Sequence, residues 1–442
     1  MSFYILVCIL CVMLAVSAVI LKSSGFRFLG LNAHPLSLTI LLQILFLTLP
    51  GTVAIGVLNF PMSFDMDLDI SNDIKQYAVV STLLSVILLL LGLAVLFKTK
   101  ILSLLYYRSE DDKISTLKLL TFASLVILII KLASVSEIPL LLAMGGDIVA
   151  AGEAKVRLLT NRDGVTVFGL NYIFRSFTSY VYIASVMAAS YDRKNRVKLF
   201  IFILNIPLAL INSLYDIQKV TIVILVVSTF WLFYIRDGRV KYLLRGCVFG
   251  FGLSAAMFVI TLGYEFDVAL VQDTILRIFV GQTEGMFYIY QFLKPDEKYL
   301  WLGIPLSSIF GLPQIDPAAE VIQILFPSAG DAWLNANSYY LAHAWTMFGA
   351  WSIFFGPLFV IFNLVIVLNI ARPLVAKNPS IYYPVIFWLI IRIPLVNNYS
   401  DFLWFKVVLD SIVNFGFVFF IDFLARKGFA KSQPAERRKI FC

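Results

Sequence analysis

Apolar residues recur along this chain in runs of about 20, which is the length an α-helix needs to cross the hydrocarbon core of a bilayer. The first run has no basic stretch before it and no small-residue cleavage site, so we expect a retained first helix rather than a signal peptide. The pattern predicts an all-α, polytopic helical membrane protein with about eleven transmembrane helices, at roughly residues 2–21, 37–57, 77–97, 119–135, 167–190, 199–214, 220–235, 246–264, 344–371, 381–396 and 402–425.

Composition supports this class and excludes others. The 442 residues are 60% hydrophobic and 14% charged, with a mean hydropathy of +0.89, whereas a soluble domain carries about 25% charged residues. We therefore expect one integral-membrane domain over residues 1–442. With two histidines in the chain a histidine metal site is excluded, soluble-enzyme motifs are missing, and we expect no cofactor.

The short connections predict the orientation. Alternate connections hold about two thirds of the 35 basic residues, and the positive-inside rule puts that set in the cytoplasm. The N-terminus is then outside, and the C-terminal tail, residues 426–442, is cytoplasmic. The formal net charge of +8 becomes a topology signal, which leaves no reason to expect a nucleic-acid partner.

Four segments share the predicted outer face: residues 58–76, 136–166, 215–219 and 265–343. Acids outnumber bases there, so each basic residue on that face needs its own explanation. The loop 136–166 carries an apolar piece, a short helical pattern from Ile148 to Leu159, and three cations. These are Lys155, Arg157 and Arg162, and the alternative for each is snorkelling towards lipid headgroups.

The tight connection 215–219 ends with Lys219 at the start of an apolar helix. The free N–H groups of a helix start favour an anion, so a lysine here suits a phosphate-bearing lipid head. The equal alternative is a helix-end anchor paired with Asp216.

The long loop 265–343 interrupts the series of apolar runs. It opens with a helical pattern from Asp267 to Leu293, which places Asp273, Arg277 and Glu284 on one face. The alternative for Arg277 is a surface ion pair with Asp273. The loop closes with a polar stretch that includes Asp331, Asn335, Asn337, Tyr340 and His343, and that leads into a span from Ala344.

Charged residues within the predicted spans are few. Arg175 and Arg392 lie nearer the outer ends of their helices, and intramembrane ionisable residues usually face a cavity, so both are second-rank site candidates. Lys406 and Asp410 are one turn apart, and we expect them to neutralise each other.

Several arginines and lysines thus converge on one outer face, which suits a polyanionic, lipid-linked substrate. Three places resemble the Wzy-type O-antigen (repeat-unit) polymerases and, more distantly, the O-antigen ligases. Arg157 and Gly169 are similar to the family's arginine–glycine spacing, Gln218-Lys219 to its basic residue entering an apolar helix, and Leu276-Arg277-Ile-Phe-Val to its second arginine-bearing loop. Asn337 stands where a ligase carries a histidine, which favours a polymerase over a ligase.

The resemblance implies a periplasmic glycosyltransferase of the bacterial inner membrane, with undecaprenyl-pyrophosphate-linked glycans as donor and acceptor. Arg157, Lys219 and Arg277 would stabilise the pyrophosphate without a metal. Glu284, Asp331 and His343 are candidates for the base on chemical grounds. The expected substrate-binding residues are Lys155, Arg162, Arg175, Asn335, Asn337, Tyr340 and Arg392.

Two other functions fit the same features. A lipid-linked oligosaccharide flippase would use the basic cavity without chemistry, and an O-antigen ligase would need a lipid A-core acceptor. Membrane lipids are expected partners, and a chain-length regulator protein is a candidate partner. The sugar and its linkage depend on pocket shape, so the sequence does not name them.

Overall fold

The structure, a computed structural model, describes residues 2–62, 70–102, 105, 107, 114–159, 163–164, 170–262, 267–304, 310–327, 336–395 and 399–430. Three site predictions, Arg162, Asp331 and Asn335, lie outside these residues, and so does the tail from residue 431 onwards. The described residues are built of helices.

The N-terminal half contains helices that follow the predicted spans closely. The second span is one apolar rod in three parts, α2, a π-helical stretch at Ile40–Thr48, and α3. The elements are α1 (Phe3–Ser23), α2 (Pro35–Thr39), α3 (Leu49–Gly56), α4 (Asn72–Lys98), α5 (Ile114–Ala133), α6 (Pro139–Met144), α7 (Ile148–Leu159), α8 (Leu170–Tyr191), α9 (Arg196–Leu214) and α10 (Lys219–Asp237).

The C-terminal half departs further from the predicted pattern. Among the described residues, the 3₁₀ turns Glu297–Trp301 and Gly349–Trp351 connect helices of this half. The elements are α11 (Lys241–Leu262), α12 (Val268–Phe279), α13 (Glu284–Phe292), α14 (Pro317–Leu325), α15 (Tyr340–Phe348), α16 (Ser352–Lys377), α17 (Pro379–Ile391), α18 (Ser400–Leu403) and α19 (Lys406–Ala430).

By length and composition, eight helical stretches among the described residues are long and apolar enough to cross a membrane. The other three predicted spans are helices as well, namely α8, α11 and α17, but they are not among these eight. The eight are Phe3–Ser23, Pro35–Gly56, Asn72–Lys98, Ile114–Ala133, Arg196–Leu214, Val220–Asp237, Tyr340–Lys377 and Lys406–Lys427.

The predicted span 381–396 is wrong in its length. Helix α17 has 13 residues and ends at Ile391, and the following residues 392–395 are irregular. Pro394 explains the stop, because proline has no N–H to continue the helical hydrogen bonds.

The chain divides into two compact units. One unit comprises Met1–Leu104, Val226–Asn369 and Ile390–Leu409, and the other comprises Leu105–Leu225, Ile370–Leu389 and Asp410–Cys442. We call them unit 1 and unit 2.

In unit 1, α1 packs against α4 through apolar side chains such as Leu10, Leu83 and Ile87. The helix α13 lies at the centre of this unit, with Met286 and Phe287 fully buried. The ring of Tyr290 contacts Tyr77 of α4 and Trp345 of α15. The long loop is therefore not a solvent-exposed insertion throughout, since part of it forms core.

In unit 2, α5, α8 and α9 pack together around Leu117, Ala184, Ala188 and Ile201. Lipid offers no hydrophobic drive between helices, so close packing of small residues holds them together. The two alanines of α8 provide that close approach.

Candidate functional site

The predicted continuous helix from Asp267 to Leu293 is wrong. The chain leaves the helix after Phe279, makes a turn, and begins α13 at Glu284. Arg277 in the last turn of α12 is exposed, whereas Glu284 is 2% exposed, so they do not share one face. The turn carries Gly281, a residue that weakens a helix interior.

Gln282 connects Arg277 with the polar motif at the end of the long loop. Its side-chain amide donates to the Arg277 carbonyl oxygen at 3.2 Å, and its carbonyl oxygen accepts from Asn337 Nδ2 at 3.4 Å. The structure therefore brings Arg277 and Asn337 together through a residue that the sequence did not single out.

Glu284 lies in the first turn of α13, where a helix start favours a negative charge. The next residue, Gly285, donates its N–H to the Asn337 carbonyl oxygen at 3.0 Å. A Cβ on Gly285 would lie 2.5 Å from the Ala336 oxygen and 2.6 Å from the Asn337 oxygen. Glycine is required here so that the backbone of Ala336 and Asn337, which we call the Asn337 motif, can lie against Gly285, the residue next to Glu284.

Tyr340 and His343 lie deeper than predicted. The helix begins at Tyr340 rather than near Ala344, which puts His343 inside α15 and fully buried. The Tyr340 hydroxyl is 2.9 Å from Ser85 Oγ, a contact that accounts for Tyr340 as part of the core. Both ring nitrogens of His343 lack a hydrogen-bond partner among the described residues. In this conformation a substrate hydroxyl cannot reach a base with no exposed surface.

The ion pair of Lys406 also differs from the prediction. Its Nζ lies 3.5 Å from Asp401 Oδ1 on α18, while the Asp410 carboxylate accepts from Asn414 Nδ2 at 2.7 Å. Asp401 can pair with Lys406 because α18 forms a short separate helix after the break that follows α17.

The predicted site residues of the loop 136–166 belong to unit 2. Arg157 of α7 pairs with Glu137 at 2.5 Å, and their side chains are 36% and 51% exposed. An exposed pair of this kind contributes only about 0–1 kcal/mol, so Arg157 can exchange Glu137 for a stronger anionic partner. The loop that carries Arg157 is closed by Asp163, which accepts hydrogen bonds from the Ser136 hydroxyl at 2.6 Å and from its N–H.

These hydrogen bonds also set the ionisation of Asp163. The Ser136 hydroxyl holds the pKa of Asp163 below its usual value, and the charge of Arg157 acts in the same direction. Asp163 therefore stays a carboxylate at neutral pH, and the loop stays closed beside Arg157.

Lys155 and Arg175 lie near the connection between α9 and α10. Burial lowers the pKa of Lys155, and the negative charge of Asp216 in that connection opposes the change. Burial raises the pKa of Tyr215 in the same connection, the charge of Asp216 adds to the rise, and the guanidinium of Arg175 opposes it in part. Helix α10 begins at Lys219 as predicted, although the Lys219 side chain lies outside the described part of the chain.

The sequence missed Lys131, which lies in the last turn of α5. Its Nζ lies 2.8 Å from Asn212 Oδ1 and 4.1 Å from the centre of the Tyr215 ring. The Leu140 N–H donates to the Tyr215 carbonyl oxygen at 3.2 Å. A lysine at the end of a span reads as snorkelling, and only its distant partners show that it holds this connection.

We call the cations Lys131, Lys155, Arg157 and Arg175 of unit 2, together with the start of α10, the basic group. Arg277, Glu284, Asn337, Tyr340, His343 and Arg392 belong to unit 1. The structure thus divides the predicted site residues into two sets, each assembled within its own unit.

These features define a multi-pass helical membrane protein with clustered basic and polar residues. A scan of known protein families and searches of curated proteins and solved structures found nothing that matches the chain.

Replacing Gly285 with Ala should destabilise the protein, because the new methyl group meets two carbonyl oxygens in a packed region. Overpacking of this kind costs about 1–3 kcal/mol and should lower the thermal midpoint in detergent. The matched control is Gly252→Ala in α11, where a Cβ meets nothing within 4 Å. An equal midpoint for the two variants would contradict the close approach of Gly285 to the Asn337 motif.

Replacing Lys131 with Met should loosen the α9–α10 connection, because it removes the hydrogen bond to Asn212 and the contact with Tyr215. Losses of this kind are worth about 1–3 kcal/mol together, and protease cleavage in the connection should accelerate. Lys118→Met, an exposed position on the same helix, is the control. Cleavage of both variants at the wild-type rate would remove Lys131 from this role.

Proposed function

We propose that the chain is a glycosyltransferase that polymerises undecaprenyl-pyrophosphate-linked repeat units into O-antigen, on the periplasmic face of the bacterial inner membrane. One observation carries the proposal. In a multi-pass helical protein, three cations from three helices, Lys131, Lys155 and Arg175, lie near the connection that leads into a fourth helix, α10. Cations in a partly buried position favour a ligand with several negative charges on one small group.

Lys155 shows why the ligand should be an anion. Burial disfavours its charged form, and one carboxylate, Asp216, compensates in part. A pyrophosphate brought beside Lys155 would stabilise its charged form through an interaction in a medium of low dielectric constant. The neighbouring guanidinium of Arg175 and the exchangeable pair of Arg157 add donors with bidentate geometry.

The proposed reaction joins two lipid-linked glycans. A hydroxyl at the non-reducing end of one glycan attacks the anomeric carbon of the other. The new glycosidic C–O bond forms as the bond to the pyrophosphate oxygen breaks, and the hydroxyl proton passes to a base. The leaving group departs as undecaprenyl pyrophosphate, which needs charge stabilisation rather than protonation, so positioned cations can supply most of the catalysis.

The roles of the predicted residues follow from this reaction. Arg157 and Lys219 keep their predicted role of stabilising the pyrophosphate, and Arg277 keeps the same role as a prediction from the sequence. Among the base candidates, Glu284 is the one that the structure links to Arg277, through Gln282 and the Asn337 motif. Like His343 it is buried here, so it can serve only after an opening of that motif. Asp331 stays a candidate from the sequence.

Arg157→Gln and Arg277→Gln should each lower polymerisation by about 10²-fold or more, because removing one donor to a developing charge has an effect of this size. The measurement is the product ladder formed by purified protein from lipid-linked repeat units in detergent. Glu137→Gln is the matched control, because it removes the partner of Arg157 and leaves the guanidinium. We expect this control to keep wild-type activity.

Wild-type ladders from both arginine variants would overturn these roles. Binding of lipid-linked repeats by the wild-type protein without any lengthening would favour the flippase instead. Transfer to lipid A-core alone would favour the ligase.

A further inference from the structure

The end of α17 leaves two backbone groups without their helical partners. In an α-helix each N–H donates to the carbonyl four residues earlier. The Ile390 carbonyl would accept from residue 394, but that residue is a proline and has no N–H. The Ile391 carbonyl would accept from the Leu395 N–H, but residues 392–395 are not helical.

The side chain of Gln43 takes the place of the second helical hydrogen bond. Its Nε2 donates to the Ile391 carbonyl oxygen at 2.9 Å, and its Oε1 accepts from the Leu395 N–H at 3.1 Å. One buried amide group thus bridges the donor and the acceptor that a continuous helix would have joined directly. The Leu395 N–H also donates to the Ile393 carbonyl oxygen at 2.9 Å, so the Ile391 carbonyl is the group that depends most on Gln43. An unpaired backbone group in an apolar interior is costly, so this replacement stabilises the break.

Thr39 replaces the hydrogen bond that Pro394 cannot donate to the Ile390 carbonyl. Its hydroxyl donates to the Ile390 carbonyl oxygen at 2.9 Å, and the Ile393 N–H donates to the same oxygen at 3.2 Å. Thr39 and Gln43 are four residues apart, so they lie on one face of their helix. They flank the start of the π-helical stretch Ile40–Thr48, a rare conformation that is frequent at functional sites.

The break is joined to the polar site of unit 1. The Leu395 carbonyl oxygen accepts from the N–H of Tyr340, the first residue of α15, at 3.1 Å. Tyr340 follows closely after Asn337, whose carbonyl receives the Gly285 N–H beside Glu284. Gln43 therefore fixes, through backbone groups, the segment that holds the Asn337 motif.

Arg392 is the charged residue of the break and is half-buried. An arginine after the last turn of a helix is favourable for the helix dipole, which is its simplest explanation. The helix dipole does not explain the buried Gln43, because a helix ended by a proline at a membrane surface would need no buried glutamine. Irregular backbone buried inside membrane proteins commonly builds binding sites, and charged residues there mark substrate paths.

We propose that the break is a binding element, in which Gln43 is the positioning residue and Arg392 binds a phosphate group. The guanidinium matches phosphate with two parallel hydrogen bonds. The assignment of this phosphate to the lipid-linked pyrophosphate rests on the proposed function. The shared chemistry is a phosphoryl oxygen, which either a lipid or a free pyrophosphate could supply.

The test measures binding by the purified full-length protein in detergent, with undecaprenyl pyrophosphate and inorganic pyrophosphate as separate probes. Arg392→Gln and Gln43→Leu should each weaken binding of the lipid probe about ten-fold or more, since a charge-assisted hydrogen bond is lost or misplaced. Thr39→Val should have a smaller effect, because Ile393 still donates to the same carbonyl. Equal loss with both probes would identify the phosphate alone as the ligand, and loss with the lipid probe alone would identify the lipid-linked form; either result supports the site.

Gln291→Leu is the matched control, because Gln291 also accepts from a backbone N–H, that of Ser71, and lies away from the break. The double variant Gln43→Leu with Pro394→Ala separates the effect of Gln43 on the position of Arg392 from its effect on the stability of the protein. It returns an N–H at residue 394 and lets Leu395 donate to Ile391, so folded yield should recover relative to Gln43→Leu. Binding should not recover, because the continued helix moves Arg392.

Wild-type affinity in Arg392→Gln, recovery of binding in the double variant, or no binding of either probe by the wild-type protein would each overturn the site. The proposed function is judged separately by the product ladder. Binding that depends on Arg392 without any ladder would reject the polymerase and leave the site. A product ladder from an Arg392→Gln protein that binds with wild-type affinity would reject the site and leave the polymerase.

Discussion

A backbone amide or carbonyl at the depth of the hydrocarbon core has to find its hydrogen-bond partner within the protein, because lipid offers none. The long helices meet this requirement by themselves. Where α17 stops, the requirement passes to the side chain of Gln43, nearly 350 residues away in sequence. From there it continues through Leu395 and Tyr340 to the Asn337 motif. Backbone hydrogen bonds therefore connect the end of α17 with the Asn337 motif of unit 1.

Charge imposes the second constraint, and it acts mainly in unit 2. A cation that is partly removed from water is tolerated when an anion or an aromatic ring compensates it. Lys131 meets Asn212 and Tyr215, and Lys155 meets the charge of Asp216. The proposed pyrophosphate would add a further compensating charge beside these cations. The cations that the structure places in unit 2 are therefore those to which the proposed function assigns the pyrophosphate.

Most of the helices could be predicted from the sequence, because a lipid-facing helix needs an apolar residue at nearly every position. The limits Phe3–Ser23 and Asn72–Lys98 lie within a few residues of the predicted ones. The helix pattern Ile148–Leu159 is confirmed as well. Hydropathy failed where burial is within the protein rather than in lipid. Helix α13 reads as part of a loop, yet it is core, since its neighbours come from distant segments.

The candidate site, like the fold, could be predicted from the sequence only in part. Arginines on a predicted outer loop could be found, because they depart from the charge bias of the topology. The partners of these arginines and of Lys131 could not be found, since Glu137, Gln282 and Asn212 are ordinary polar residues until the fold places them. Pro394 could have signalled the helix stop that the predicted span 381–396 missed. Gln43 gave no signal, because a single glutamine within an apolar run has no recognisable spacing.

The central claim is that this protein makes glycosidic bonds by expelling a lipid pyrophosphate. The most direct test counts both products in one reaction, with the purified wild-type protein, lipid-linked repeat units of one length, and a chelator in place of metal and nucleotide. The proposed function predicts one undecaprenyl pyrophosphate released for each new linkage. Linkages without that release, or release that requires an added nucleotide, would contradict it.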